Sequence, residues 1–163
     1  MKIAGLGTLE RRTHVTLIGA EGEAVDLIVT AVPLGFEVDI ARDIPAPIPP
    51  TRTSAGPKGV ITTHDREDAA FKAAEADVSS LQLVAMIHSA LRNEPKVTWT
   101  AQRPAFTTAI DFYRAVREEM RAMGFSMVDW NAIAKALSEL SGQLESKMRE
   151  AAAGFLPKAP EGA

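Results

Sequence analysis

The sequence predicts an α+β fold: a small N-terminal β-hairpin or sheet region, a proline-rich linker and a C-terminal three-helix domain. Three observations predict it. Two β-branched runs before residue 33 flank a glycine-containing turn. Five prolines fall between Ile44 and Val60. Apolar residues then recur at helical spacing from Phe71 onward, broken by Pro95 and Gly124. The expected organisation is a β-rich region over 1–43, a Pro/Gly-rich linker over 44–63, a helical domain over 64–153 and a disordered tail over 154–163.

The first run is His14-Val15-Thr16-Leu17-Ile18 and the second Ala24 to Val32. Gly19 and Gly22 lie between them and can take positive φ. A lone hairpin is marginal in water, so this one needs a further strand or a helix against it. Pro33 suits a first helical turn, and Leu34, Val38 and Ala41 follow helical spacing. A short helix is the expectation there. Gly35 and Val38 weaken it, and a third strand is the alternative. The closely spaced prolines from Pro45 to Pro50 forbid a helix and favour an extended path. They read as a semi-rigid linker, or as a ligand for an aromatic groove on a partner.

The first long helix is expected from Asp65 to Asn93. Asp65, Glu67 and Asp68 put negative charge at its start, where the helix dipole favours it. Phe71, Val78, Leu81, Val84, Ala85, Ile87, His88 and Leu91 form its apolar band, and Pro95 prevents continuation. Asn93 to Trp99 reads as an exposed turn. A second helix over 107–123 carries Ile110, Tyr113, Val116, Met120 and Met123 on one stripe, widened by Phe106 and Phe112. Gly124 is placed as a left-handed cap. Ser126 with Asp129 then forms a capping-box variant, with Phe125 and Trp130 as a hydrophobic staple. Trp130, Ile133, Leu137, Leu140 and Leu144 share a face of the third helix. Ser141-Gly142 would kink or end it, and residues 143–153 could prolong it. No internal repeat is present.

Composition narrows the function classes. At 163 residues with 46% hydrophobic content, the chain can build one ordinary domain or a small domain with an appendage. A net charge of -3 argues against a general nucleic-acid binder. The absence of cysteine excludes disulfides and thiolate chemistry. No signal peptide or membrane helix is recognisable, so a soluble, intracellular protein is expected.

The chemistry-bearing residues are sparse. His14, His64 and His88 show no i,i+4 metal spacing, and each reads as a satisfied or half-exposed histidine. His64-Asp65 beside Glu67 and Asp68 is the one local metal-like cluster, already explained as helix capping. A hydrolase using His64 and Asp65 is a third-ranked reading. Gly56-Pro57-Lys58-Gly59 lacks phosphate-loop spacing. Glu118 and Glu119 point about 100° apart on a helix and read as a solvated face. No catalytic, metal or cofactor residue is expected, so the chain reads as a non-enzyme. The aromatic and methionine residues are the remaining signal. Trp99, Phe106, Tyr113, Met120, Phe125 and Trp130 are the candidate partner-binding residues, with Met86, Met123 and Met127 suited to adaptable contacts. A plain three-helix core would use the same residues, and the two readings overlap.

The order of these features resembles the tail assembly chaperones of long-tailed, siphovirus-like bacteriophages. The resembling residues are Pro45 to Pro50, Asp65-Arg66-Glu67-Asp68-Ala69-Ala70-Phe71, Ala90 to Trp99, Phe112 to Met120, Gly124-Phe125-Ser126 and Ala136 to Ser141. The resemblance implies a protein of the host cell cytoplasm that binds the tape measure protein and keeps it soluble during tail morphogenesis. The tail tube protein is a further partner it allows. It also implies homo-oligomers, and a longer frameshifted form in many members. The alternative reading is a structural virion component, such as a tail or neck protein.

Overall fold

The computed structural model describes residues 11–19, 21–33, 35–57 and 59–140. The fold class is α+β, with two antiparallel two-stranded sheets in the N-terminal half and helices mostly after them. In chain order these are β1 (Arg12–Ile18), β2 (Ala24–Thr30), α1 (Phe36–Asp43), β3 (Thr51–Gly56), β4 (Gly59–His64), α2 (Ala69–Ala90), a 3-10 turn at Arg103–Ala105 and α3 (Ala109–Ala122). A fourth helix, α4, covers 127–140. The expectations for Met1 to Glu10, for Leu144, for the Ser141-Gly142 kink, for 143–153 and for the tail over 154–163 lie outside the described residues.

The described chain gathers into two compact units. One holds residues 11–32, 89–97 and 125–140; the other holds 33–88 and 98–124. This grouping differs from the linear division expected from sequence. The β1–β2 hairpin and α4 belong to one unit, while α1, α3 and most of α2 belong to the other.

In the first unit, β1 and β2 pair from Arg12↔Thr30 to Ile18↔Ala24. Gly22 takes φ 84° in the connecting turn, which favours glycine. Period-2 alternation puts Val15, Leu27 and Val29 on one face, and all three are buried. The free edge of β2 is covered by the segment read from sequence as an exposed turn. The Ile28 N–H donates to the Glu94 carboxylate, and Lys96 Nζ donates to the Asp26 carbonyl at 2.6 Å. Glu94 is only 4% exposed, and its second oxygen accepts the Lys96 N–H at 2.9 Å. The two side chains engage successive outward-facing positions of β2, Ile28 and Asp26. The charges that blunt this edge come from another part of the chain.

α4 begins as expected. Ser126 donates N–H and O–H to the Asp129 carboxylate at 2.8 and 2.6 Å, and Asp129 N–H returns to Ser126 Oγ at 3.4 Å. Ile133, Ala136, Leu137 and Leu140 are buried along it, and Phe125 and Trp130 are half-buried.

In the second unit, α1 confirms a helix over the third-strand alternative. Gly35, at φ 84°, is its N-cap, so it bends the chain into the helix without sitting inside it. The buried face is Phe36, Ile40 and Ile44 at i, i+4 and i+8. Val38, expected on the apolar face, is 73% exposed. Ile40 and Ile44 pack with Leu81 and Ala85 of α2 and Ala109 of α3, flanked by Val78, Ile110 and Tyr113. Gln82 Nε2 donates to the Ile44 carbonyl at 3.0 Å, fixing the end of α1 to α2.

The linker expected over 44–63 is extended only to Pro50. Thr51–Gly56 and Gly59–His64 then pair as a second hairpin, from Thr51↔His64 to Gly56↔Gly59. Its β-branched residues, on either side of a Gly-Pro turn, carried a strand signal that the proline count overrode. Asp65, expected as helix start, belongs to the hairpin: its N–H donates to the Pro50 carbonyl and its carboxylate pairs with Arg52 at 2.5 Å. Asp68 caps α2 instead, accepting the Phe71 N–H at 2.8 Å.

α3 opens with Thr108, whose hydroxyl accepts the Asp111 N–H at 3.1 Å and donates to its carboxylate at 2.7 Å. Its buried stripe is Ala109, Phe112, Val116 and Met120. This is a rotation from the expected one: Phe112 is in the core, Tyr113 half-buried and Met123 exposed. Gly124 takes φ 80° after the helix, as expected of a left-handed cap. α2 and α3 are tied by Asp77, which accepts from Arg117 at 2.6 Å and Arg114 at 3.3 Å. Hydrogen bonding to Arg117 is the main cause holding the Asp77 carboxyl below its usual range, against some desolvation.

Candidate partner-binding surface

Five rings converge in the second unit. α2 contributes His88, α3 contributes Phe112 and Tyr113, and the loop between α2 and α3 contributes Trp99 and Phe106. The His88 ring lies 4.9 Å from Trp99, 5.3 Å from Phe112 and 6.0 Å from Tyr113, the last two edge-to-face. Phe112 lies 5.7 Å from Phe106 and 4.8 Å from Tyr113. These separations are in the range where aromatic pairs attract beyond simple burial. Phe112 is buried, while His88, Trp99, Phe106 and Tyr113 each keep part of their surface in solvent.

The loop carrying Trp99 and Phe106 is locally fixed. Gln102 Nε2 donates to the Trp99 carbonyl at 2.9 Å, and Arg103 donates to the Phe106 carbonyl at 2.8 Å. Glu119 of α3 accepts the Ala101 N–H at 2.8 Å. The solvated-face reading therefore holds for Glu118, exposed and paired with Arg121, but not for Glu119, which is half-buried and anchors the loop. Its other oxygen, Oε2, and the Trp99 indole Nε1 are buried with no hydrogen-bond partner.

Electrostatics keep the cluster uncharged. Burial pushes the His88 pKa below its ordinary value, with Glu119 pulling weakly the other way. Burial raises the Tyr113 pKa, with smaller contributions from Arg103 downward and Asp43 upward. A neutral imidazole and a neutral phenol give apolar faces with polar edges.

Of the six residues expected to bind a partner, the structure brings Trp99, Phe106 and Tyr113 together. Met120 is fully buried (0% exposed), so its side chain presents no surface and it is corrected to a core position. Phe125 and Trp130 are half-buried but belong to the other unit. His88 and Phe112 complete the cluster. Sequence placed both on apolar helical faces without showing that they meet.

The acidic group at the start of α2 is engaged locally, Asp65 with Arg52 and Asp68 with the Phe71 N–H. Among the described residues no three His, Asp or Glu side chains are grouped to hold a metal ion. No described helix is long and apolar enough to cross a membrane. No protein family, curated protein or solved structure matches the chain.

Proposed function

We propose that the chain is a bacteriophage tail assembly chaperone. It makes and breaks no bonds; it binds apolar helical segments of the tape measure protein in the host cytoplasm and keeps them soluble until the tail tube covers them. The observation that carries this reading is the half-exposed aromatic cluster of Trp99, His88, Tyr113 and Phe106. Aromatic side chains with fixed rotamers are strong anchors for a partner because little conformational entropy is lost on binding. A neutral, apolar platform suits the i, i+3, i+4 face of an amphipathic helix. Exposed Met123 adds an adaptable side chain in the same unit.

Co-expression with the tape measure protein tests the proposal. The expected outcome is a co-purifying complex and soluble tape measure, with Trp99→Glu or Tyr113→Glu abolishing capture while circular dichroism stays native. Folded variants that still capture the tape measure would remove these residues from the site. Abundant copies of the chain in purified virions would favour a structural component instead.

A further inference from the structure

Residues 45–50 join α1 to β3 without joining two domains. Everything from Pro33 to His88 belongs to one compact unit, so the run is no spacer between bodies. Its conformation is dictated locally. Proline fixes φ near about −65° at positions 45, 47, 49 and 50, and each residue before a proline is kept out of the helical region. The result is a polyproline-II path with three residues per turn. Both ends are anchored. Ile44 is buried and its carbonyl accepts from Gln82, while the Pro50 carbonyl accepts the Asp65 N–H at 2.7 Å. Between these anchors Pro45, Ala46 and Ile48 are exposed, Ile48 at 85%, and Pro47 and Pro49 are half-buried. Among the described residues no hydrogen bond reaches the backbone from 45 to 49.

We propose that Ala46 to Arg52 is a ligand for a partner domain with an aromatic-lined groove that ends in a carboxylate pocket. Backbone chemistry and charge together select this occupant. Ala46-Pro47 and Pro49-Pro50 repeat with the three-residue turn, so both dipeptides present the same ridge. Flat aromatic walls accept such a ridge. A strand-pairing edge does not, because four of the six residues from 45 to 50 have no N–H to give. Arg52 follows Pro50 by two residues, and its side chain is 74% exposed. Asp65 takes its Nε at 2.5 Å, which leaves the two terminal amino groups for a bidentate carboxylate. At the other end Arg42 is balanced by Asp39 and Asp43, at 3.2 and 3.0 Å. The direction of docking is therefore fixed, with the acidic pocket at the Arg52 end. Because the run is already held extended, it loses little further entropy on binding. The inference does not depend on the chaperone reading.

The test titrates the full chain into an isotope-labelled SH3 domain of the kind that binds Pro-x-x-Pro-x-Arg peptides. A second copy of that domain, with its groove carboxylates changed to amides, serves as control. Saturable binding with Kd below about 1 mM is expected, with shifts confined to the groove. Pro47→Ala, which touches neither anchor, should weaken it about tenfold or more. Arg52→Gln should weaken binding about tenfold to the acidic domain and leave binding to the amide control unchanged. Ile48→Ala, on the remaining edge of the helix, should leave both unchanged. Should Arg52→Gln loosen the hairpin, Pro47→Ala still decides. No binding up to about 1 mM, shifts outside the groove, or binding undiminished by Pro47→Ala would each overturn the proposal.

Discussion

The two hairpins are built alike and supported differently. Both are short antiparallel ribbons of β-branched residues closed by glycine turns. In β1–β2 one face is buried through Val15, Leu27 and Val29, and the free edge of β2 is held by Glu94 and Lys96. In β3–β4 both faces are in solvent and the outer edge is open. Strand-forming residues therefore specify a local ribbon, while its stability is decided by what distant parts of the chain place against it.

The largest expected break in this comparison is Leu27→Ala, which deletes buried methyl groups from the supported ribbon. It should cost about 2–5 kcal/mol in urea unfolding. Next is Glu94→Ala, which leaves the Ile28 N–H without its acceptor and should cost about 1–3 kcal/mol. Glu94 also has a pH signature. Burial alone would raise its pKa, but the Ile28 and Lys96 N–H donors, with the charges of Lys96 and His14, bring it below the ordinary value. Its contribution is complete above the unfolded glutamate pKa and is lost as pH falls through the lower folded value. Glu94→Gln should flatten the fall in stability below about pH 4.3, leaving the part due to Asp77. The smallest effect is expected at Val60→Thr in β4, within about 0.5 kcal/mol in dilute solution. A cost comparable to Leu27→Ala would mean that β4 is not open in the isolated chain.

Local signals were well expressed in the sequence. The first hairpin, the left-handed cap at Gly124, the Ser126–Asp129 box and the start of α3 all follow from residues within a few positions of one another. What was hidden depends on distance along the chain. Glu94 read as part of an exposed turn because its acceptor role involves Ile28, and Glu119 read as solvated because its partner is Ala101. The second hairpin was masked by the prolines just before it, although Gly56-Pro57 and the Val60-Ile61-Thr62-Thr63 run carried its signal. On α3 the expected stripe holds at Val116 and Met120 but not at its ends, where Ala109 and Phe112 are buried in place of Ile110 and Tyr113, since Phe112 and Tyr113 are both aromatic and only packing decides which points inward. Half of the aromatic surface was legible as a list of residue types. Its convergence on His88 was not, because periodicity gives each helix a face but not that face's neighbour.

The Glu94–Pro95–Lys96 clip has a consequence for biosynthesis. Its side chains reach Ile28 and Asp26, 66 and 70 positions earlier. On a ribosome adding about 5–20 residues per second, the first ribbon is translated roughly 3–14 s before its clasp. For that interval the nascent chain carries an unprotected strand edge, available to neighbours on the same polysome or to whatever chaperone attends the exit tunnel.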